Sequence, residues 1–327
     1  MAESPGLPDA AQARLDRLKS HPEGLIVHRV GRHGQIAIAR TGPDIVMVFC
    51  PLGVELSNDA LSGVMARVDP TTPLVLKGAY TQAMLACLSF VPDPGRVYVM
   101  GAGGGRVPMV LRWLVDVPVV MGSELDKDVL NLSAEYLGFE MAGGLSIDCA
   151  EGRAHLTAQP DGQFDHIYVD CYGADARVPP ALSTAEFFAM IRAKLTHGGV
   201  MAMNLIAGDE RFAAQQAGMM QAFSQIWAWS QGGSTVLFGS DAVSSPEERT
   251  QAAADLAARI PFGFDLPAHI DALVPVSVQD TPIHDAEVFD PAQTARFFPK
   301  GFFKGCARNA PCPCGSGYKF KGCHGRR

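Results

Sequence analysis

The sequence lacks any long apolar segment. Residues 1–20 are mostly small, polar or charged, and the longest strongly apolar run covers only residues 45–50. A helix that spans a membrane needs about 20 consecutive apolar residues, and a secretory signal needs an apolar segment near the N-terminus. The sequence therefore predicts a soluble, cytoplasmic protein with no membrane segment.

Acidic residues are absent from Arg296 onward, where the chain carries eight Lys and Arg. The whole 327-residue chain has 27 Lys and Arg and 34 Asp and Glu, so the part before Arg296 has a net charge of −15. An acidic body with a basic tail suggests that the tail has a partner of its own. Hydrophobic residues make up 47% of the sequence, which suffices for one packed α/β domain with appendages.

The eight cysteines do not have the distribution of a disulfide framework. Cys50, Cys87, Cys149 and Cys171 lie singly among apolar residues. A small buried side chain is the simplest interpretation of each of them. Three others fall within twelve residues near the C-terminus, and they require a separate explanation.

The C-terminal segment has the composition of a metal site. Cys312 and Cys314 are separated by one residue, and Cys323 and His324 are adjacent. Zinc prefers four thiolate or imidazole ligands in a tetrahedron. So short a stretch cannot bury a core, so the metal must supply its folding free energy. We predict a structural zinc ion held by these four side chains; a redox dithiol is the alternative.

These residues resemble the zinc-binding tail of the bacterial preprotein translocase ATPase, the SEC-C type motif. The Pro-Cys-Pro-Cys-Gly-Ser-Gly core of that tail stands here at residues 311–317, and the resemblance covers less than a tenth of the chain. It implies a docking module for a partner. Because four ligands fill a structural zinc site, we expect no substrate position at the metal.

Basic side chains surround the predicted zinc knuckle, which we define as residues 306–327. Phosphates of a nucleic acid or an acidic protein surface would both suit this charge. A protein partner is favoured, because only two aromatic side chains accompany the charges, too few for an array that stacks on bases. The basic residues are Lys319, Lys321, Arg326 and Arg327, and the aromatic ones are Tyr318 and Phe320.

The body ahead of the tail begins with a helical pattern and short β-rich runs, and strands and helices alternate from residue 97 onward. Such alternation implies parallel strands joined by right-handed crossovers. The predicted strands are residues 25–29, 35–39, 45–50, 54–57, 97–100, 117–123, 145–149, 166–170, 200–205, 226–229 and 235–239. The predicted helices are residues 9–20, 78–90, 106–115, 127–137, 152–158, 184–195, 212–223 and 245–260. We expect an N-terminal helix (1–23), a small β-domain (24–77), a Rossmann-like nucleoside-binding domain (78–260), a packed lid or linker (261–305) and the zinc knuckle (306–327).

Glycine and acidic residues follow successive strands of this pattern. A Gly-Ala-Gly-Gly-Gly turn occupies residues 101–105, and Glu124, Glu151 and Asp170 follow the next three strands. The C-terminal ends of parallel strands share one edge of a sheet, where such folds bind ligands. Glycine lets a ligand approach the backbone, and a carboxylate at the second strand meets ribose hydroxyls. The Gly-x-Gly-Gly-Gly-Arg spacing and the lack of a second nucleotide-binding half favour S-adenosylmethionine or a relative over a dinucleotide.

From about residue 24 to residue 239, the chain resembles the spermidine synthase (polyamine aminopropyltransferase) family. That family has a small N-terminal β-domain followed by the Rossmann-like fold of S-adenosylmethionine-dependent methyltransferases, and it commonly forms dimers. The resemblance therefore implies this α/β fold and a homodimer. The matching segments are residues 80, 84–85, 96–105, 124–126, 151–154, 164–170, 184–188 and 198–200.

The resemblance also implies roles for individual residues. Asp170 would be the catalytic base, because a protonated amine has no lone pair and a nearby carboxylate can take its proton. The co-substrate would be S-adenosylmethionine or its decarboxylated form, and the acceptor a small-molecule amine or another nucleophile. The expected co-substrate contacts are Gly101, Gly103, Gly105, Glu124, Leu125, Glu151 and Gly152. The expected acceptor contacts are Tyr80, Tyr172 and Asp175.

The chain departs from the family's pattern at three places. Gly104 stands where the family has an aspartate that grips the co-substrate's amine, and Gly173 replaces a second aspartate, with Asp175 nearby. Residues 229–235 lack the Tyr-Pro segment that lies near the polyamine. Losing carboxylates weakens the attraction for a dication. Three hypotheses stay open: an aminopropyl-type alkyl transferase, an S-adenosylmethionine-dependent methyltransferase, and a non-catalytic nucleoside-binding protein that acts through its zinc tail.

Overall fold

The computed structural model describes residues 6–31, 34–52, 63–173, 176–298, 300–316 and 318–326. Its N-terminal layer is helix α1 (Asp9–Leu18) followed by a four-stranded antiparallel sheet in chain order. The strands are β1 (Gly24–Val30), β2 (Gln35–Thr41), β3 (Asp44–Cys50) and β4 (Val64–Val68). The predicted helix and first three strands are confirmed. The strand expected at residues 54–57 lies outside the described residues, and β4 was not predicted.

The body is built on an eight-stranded mixed sheet, which confirms the predicted α/β class. Its strands are β5 (Arg96–Met100), β6 (Val119–Glu124), β7 (Leu145–Cys149), β8 (Phe164–Val169), β9 (Leu195–Ile206), β10 (Gln225–Gln231), β11 (Ser234–Ser240) and β12 (Val274–Pro275). They lie in the order β12-β10-β11-β9-β8-β5-β6-β7. Strands β5 to β9 are parallel to their neighbours among themselves, whereas β10, β11 and β12 add antiparallel pairs at one side.

Helices cover both faces of this sheet. Alternate side chains of β5 enter different apolar clusters: Val97 and Val99 on one face, Tyr98 and Met100 on the other. The helix predicted at residues 78–90 changes to a 3-10 helix at Leu85–Ser89. No helix in the described ranges is both long and apolar enough to span a bilayer. The remaining helices are α2 (Ala79–Met84), α3 (Arg106–Trp113), α4 (Lys127–Tyr136), α5 (Gly152–Thr157), α6 (Ala185–Lys194), α7 (Phe212–Ala222), α8 (Pro246–Arg259), α9 (Leu266–Asp271), α10 (Asp285–Val288) and α11 (Thr294–Phe297).

The strand order reverses between β5 and β8. From β5 the chain proceeds outward to β6 and β7 and then returns to place β8 on the other side of β5. The C-terminal ends of β5 and β8 therefore lie side by side with their following loops directed apart. In open α/β sheets, ligands bind in the crevice at such a switch point. The glycine turn follows β5 and Asp170 follows β8, so the two meet there.

The small N-terminal sheet packs against the body beside the glycine turn. Apolar side chains of α1, β2, β3, β4 and α4 form one cluster, which buries the inner face of the sheet. Its fully buried members include Leu15, Ile36, Ile38, Ile45, Met47, Val68 and Leu137. Through this cluster, β4 is held next to the turn that begins α3.

The zinc knuckle packs against the body, a contact that the sequence analysis did not predict. Its three cysteines share an apolar cluster with side chains of residues 283–303 and with Ala214 of α7. Gly315 also lies against Ala181 of the body, since a Cβ atom there would be 2.8 Å from the Ala181 Cβ. Such contacts join segments more than a hundred residues apart, and local sequence patterns carry no information about them. The cluster contains Ile283, Val288, Phe297, Phe298, Cys312, Cys314 and Cys323.

Candidate functional site at the sheet edge and the zinc knuckle

The glycine turn between β5 and α3 contacts both neighbouring strands. Gly101 donates its backbone N–H to the carbonyl of Ser123 in β6, at 2.9 Å. Gly101, Gly103 and Gly105 have φ angles of 81°, 50° and 72°, a conformation that favours glycine. A Cβ atom on Gly101 would lie 2.3 Å from the carbonyl oxygen of Asp170. The turn is therefore pressed against the end of β8, where a side chain would force the two apart.

Glu124, at the end of β6, is tied to the glycine turn. Its Oε2 accepts a hydrogen bond from the Gly103 N–H at 2.9 Å, and its Oε1 accepts one from the Asp126 N–H at 3.1 Å. Burial raises the pKa of this carboxyl, although backbone N–H groups oppose the rise. Each oxygen retains a lone pair for a further donor. Glu124 can thus accept hydroxyl donors while it holds the turn, and the 51% exposed Leu125 adds an apolar surface beside it.

Glu151 caps helix α5. Its carboxylate accepts hydrogen bonds from the backbone N–H groups of Arg153 and Ala154, at 3.0 and 2.8 Å. A carboxylate at this position satisfies donors that have no partner within the helix. A Cβ atom on Gly152 would lie 2.5 Å from the Met100 side chain, so α5 begins in close contact with β5. The structure gives Glu151 a structural role, and its contact with the co-substrate stays a prediction.

Asp170 lies in the crevice with two polar neighbours. Its Oδ1 accepts a hydrogen bond from Asn204 Nδ2 at 3.1 Å, and the Tyr80 hydroxyl also hydrogen-bonds to this carboxylate. Burial raises the pKa of Asp170 to about 6, and these two donors limit the rise. The charge of Asp170, followed by burial, in turn raises the pKa of Tyr80. The site therefore holds a carboxylate that titrates close to neutral pH.

Asn204 joins Asp170 to a second predicted residue, Tyr172. The Tyr172 hydroxyl donates to the backbone carbonyl oxygen of Asn204 at 2.8 Å. Asn204 is 6% exposed, and its Oδ1 has no hydrogen-bond partner within the described part of the chain. Buried polar atoms are rarely left unpaired, so this acceptor is available to a ligand. One signal in the sequence points to Asn204, because it is a polar residue within an apolar strand, and our prediction missed it. Asp175 lies outside the described residues.

Gly104 is closed off by the small N-terminal sheet. A Cβ atom on Gly104 would lie 2.1 Å from the Ala66 Cβ of β4 and 2.9 Å from Leu137 Cδ1. Contacts this short do not occur between real side chains, so any larger residue requires β4 to move. The carboxylate that the resemblance places in this turn therefore has no room in this chain.

The predicted metal ligands converge in the knuckle. One ligand atom from each of Cys312, Cys314, Cys323 and His324 lies within 4.8 Å of the others. The Cys314 and Cys323 sulfurs are 3.6 Å apart, and His324 Nδ1 is 3.5 Å from Cys312 Sγ and 3.2 Å from Cys323 Sγ. A zinc ion with sulfur ligands at about 2.3 Å requires separations of roughly 3.7 Å. The donor set and its spacing fit a tetrahedral zinc ion.

Aromatic residues fix the histidine of this cluster. The Phe303 ring stacks on the His324 imidazole with centroids 4.5 Å apart and planes 12° apart. Phe298 contacts the same imidazole edge-on at 5.3 Å. Interactions outside the ligand sphere orient metal-binding histidines. The segment before the knuckle therefore contributes to the metal site.

Comparisons with known proteins agree with this architecture. The chain is 32% identical over 150 residues to a probable polyamine aminopropyl transferase of Bifidobacterium longum, a match that covers 46% of this chain and 32% of that protein. It is 24% identical over 162 residues to the eEF1A lysine and N-terminal methyltransferase of Mus musculus, covering 45% and 23%. A probable spermidine synthase from Corynebacterium glutamicum superimposes with a TM-score of 0.61 at 16% identity, over 81% of this chain and 97% of that one. At this identity the structural likeness concerns the fold.

The body is thus a mixed α/β fold of the spermidine synthase and methyltransferase type. A SEC-C motif matches residues 308–326, which include all four predicted ligands. The chain is therefore similar to the two sequence relatives named above, both of which are transferases by name, and it carries a SEC-C motif besides. The matching regions span only about a third and a quarter of those relatives' lengths.

Proposed function

We propose that this protein transfers an alkyl group from an S-adenosylmethionine-type co-substrate to an amine, with Asp170 as the base. The observation that supports it most directly is the position of Asp170: beside the glycine turn at the switch point, with a pKa raised to about 6. A carboxyl near neutral pKa is suited to general base catalysis. The sequence relatives, which are transferases of aminopropyl and methyl groups by name, support the same reaction class.

The bound co-substrate would supply an alkyl carbon attached to a positively charged sulfur. Glu124 would accept hydrogen bonds from the ribose hydroxyls, and Leu125 would contact the nucleoside. The Asn204 Oδ1 and the Asp170 carboxylate would hold the amine, with Tyr80 and Tyr172 beside it. As the nitrogen lone pair forms the new N–C bond, the S–C bond breaks and its electrons stay on sulfur. Asp170 takes the proton of the bound ammonium beforehand, which frees this lone pair.

Two groups are candidates for transfer. Aminopropyl transfer from decarboxylated S-adenosylmethionine agrees with the Bifidobacterium longum relative. Methyl transfer is favoured by one specific observation: Ala66 fills the position at Gly104 where a carboxylate would otherwise hold the amine of the decarboxylated co-substrate. Without that carboxylate, nothing in the turn repels the carboxylate of S-adenosylmethionine, the group that the decarboxylated form lacks.

Calorimetric titration tests this proposal and separates the candidates. The zinc-loaded chain should bind methylthioadenosine, which both reactions recognise through the shared nucleoside. Tighter binding of S-adenosylmethionine than of its decarboxylated form indicates methyl transfer, and the opposite order indicates aminopropyl transfer. Binding of none of the three ligands would refute the proposed function, leaving the adaptor hypothesis for the zinc tail.

The pH dependence of turnover should report the Asp170 carboxyl. The base acts only when ionised, and its pKa is raised to about 6. We expect kcat/KM to rise about tenfold per pH unit below that value and to level off above it. Initial rates between pH 4.5 and 8.5 measure this, with nucleoside affinity recorded over the same range as the control. A profile that is flat between pH 5 and 7 would contradict the assignment.

We also propose that the knuckle docks an acidic protein. Four basic side chains of the knuckle are exposed and form no ion pair with any other residue of the described ranges: Arg308, Lys319, Lys321 and Arg326. Charge of this kind raises association rates with acidic surfaces and is screened by salt. Reversing the charge at Lys319 and Lys321 by substitution with Glu should therefore abolish the salt-sensitive association with this acidic protein. The zinc content should not change.

A further inference from the structure

Arg153, in the first turn of α5, connects three separate segments. Its Nη1 donates to the Ala181 carbonyl at 2.7 Å and lies 3.3 Å from Thr184 Oγ1. Its guanidinium also forms a two-pronged ion pair with Asp285, at 2.8 and 2.5 Å. The side chains are 14% and 26% exposed, so water screens the pair only partly. Paired hydrogen bonds of this kind are among the most directional in proteins.

The segment around Asp285 is fixed to the body by further bonds. Thr184 Oγ1 donates to Asp285 Oδ1 at 2.7 Å, and the Asp285 N–H donates to Glu186 at 3.0 Å. The Ala185 N–H donates to the Ile283 carbonyl at 2.8 Å. Asp285 is therefore held in register with the start of α6, and it presents its carboxylate to Arg153.

The zinc knuckle packs against the segments that Arg153 connects. Gly315 contacts Ala181, the residue whose carbonyl Arg153 binds. Ile283 and Val288, on either side of Asp285, belong to the apolar cluster that contains the metal-binding cysteines. A short knuckle needs its metal to fold. Without the metal, these contacts lose their partner, and the segment that carries Asp285 loses its support.

We propose that Arg153 is a positioning residue for the sheet-edge site, and that metal loading of the knuckle determines whether it holds its position. Arg153 directly follows the Glu151-Gly152 pair at the nucleoside edge. Leu182, which lies between its partners Ala181 and Thr184, shares an apolar cluster with Val169 and with Tyr172 on the acceptor side. The bonds of Arg153 thus fix both the nucleoside side and the acceptor side of the crevice. This inference rests on the proposed function, because it concerns binding at the same site.

Thermodynamic linkage makes the inference measurable without turnover. If zinc strengthens nucleoside binding by some factor, the nucleoside must strengthen zinc binding by the same factor. Coupling between sites is typically 5- to 150-fold, and we expect about tenfold here. Calorimetry with methylthioadenosine, with and without zinc, gives one side of the cycle. Competition for zinc with a chelator, with and without methylthioadenosine, gives the other.

Asp285→Asn tests the link while the metal stays bound. The substitution keeps the shape of the side chain but removes the ion pair with Arg153. It should weaken methylthioadenosine binding by about tenfold and abolish the mutual effect of the two ligands. Asp280→Asn is the matched control, because Asp280 is exposed and its carboxylate accepts a hydrogen bond from the neighbouring Thr281 N–H at 2.7 Å. It should change neither affinity.

A second pair of variants tests the contact between knuckle and body. Gly315→Ala adds a methyl group against Ala181, whereas Gly305→Ala adds one in open space at a similar φ of 79°. Only the first should lower nucleoside affinity. Equal affinities in wild type, Asp285→Asn and zinc-free protein would overturn the inference and leave the proposed function intact. Absence of nucleoside binding to the zinc-loaded chain would overturn both.

Discussion

Asp170→Asn is expected to reduce turnover by about 10²- to 10⁴-fold, the usual contribution of a general base. The amide can still accept the hydrogen bond from Asn204 Nδ2, so the crevice should keep its shape. Nucleoside affinity should change little, because the expected contacts Glu124, Leu125 and Glu151 lie at the end of β6 and before α5, and the asparagine adds no bulk beside the glycine turn. Single-turnover rates and calorimetry on the same preparation measure both quantities. Full activity in this variant would remove Asp170 from the reaction.

The same substitution should stabilise the fold at neutral pH. The pKa of Asp170 is about 6 in the folded chain against an ordinary 3.8, which corresponds to about 3 kcal/mol against the ionised form. Between pH 4 and pH 6 the folded state therefore binds more protons than the unfolded state does. The free energy of unfolding falls as the pH rises from about 4 to about 6. An asparagine has no charge to bury, so Asp170→Asn should gain about 1–3 kcal/mol at pH 7.5.

Chemical denaturation at pH 7.5 and pH 4 checks this gain, which should shrink at the lower pH because wild-type Asp170 is then largely protonated. Asp93→Asn serves as the control. Asp93 is 84% exposed at the surface, and its ion pair with Arg259 is long, at 3.6 Å. Neither turnover nor stability should change in that variant. A stability gain without loss of turnover would mean that Asp170 is buried for a reason other than catalysis.

Gly101→Ala is expected to destabilise the chain by about 3 kcal/mol or more. A residue with a side chain pays roughly 1–2 kcal/mol for the left-handed φ of 81°. The new methyl group would also overlap the Asp170 carbonyl oxygen, at 2.3 Å, and a forced backbone shift costs a further ~1–3 kcal/mol. Because the overlap lies between the glycine turn and Asp170, nucleoside binding should be lost as well.

Gly162→Ala separates these two contributions. Gly162 has a φ of 62°, and a Cβ atom there would meet nothing within 4 Å. Its replacement should therefore cost only the conformational part, about 1–2 kcal/mol, and leave nucleoside binding unchanged. Urea midpoints of the two variants measure the difference. If both variants lose the same stability, the contact between the turn and Asp170 is softer than the structure indicates.

Local patterns in the sequence predicted most of the body. The glycine turn and the carboxylates at 124, 151 and 170 were placed correctly at one edge, because the end of a strand can be read from where its apolar residues stop. The start of β9 was missed by five residues, since Leu195 to Gly199 contain polar and glycine positions that resemble a loop. β4 was missed because its run is short and only partly buried.

Contacts between distant segments could not be predicted in this way. Arg153 and Asp285 are 132 residues apart, and neither has a neighbouring residue that indicates the other. Ala66 fills the space beside Gly104 because of how the small sheet packs on the body. The spacing of apolar residues along the sequence does not encode this packing. The knuckle was recognised from its own ligands, whereas its attachment to the body depends on phenylalanines outside the motif.

The packing of the knuckle determines which residues would have to be moved together to transfer it to another protein. Phe298 and Phe303 cover the metal-binding histidine from outside the SEC-C match. A transplant limited to residues 308–326 would leave that cover behind. The recipient would obtain a metal-binding loop without its aromatic cover. The donor would retain exposed phenylalanine side chains, which favour self-association. The exchangeable unit in this chain begins near Ile283.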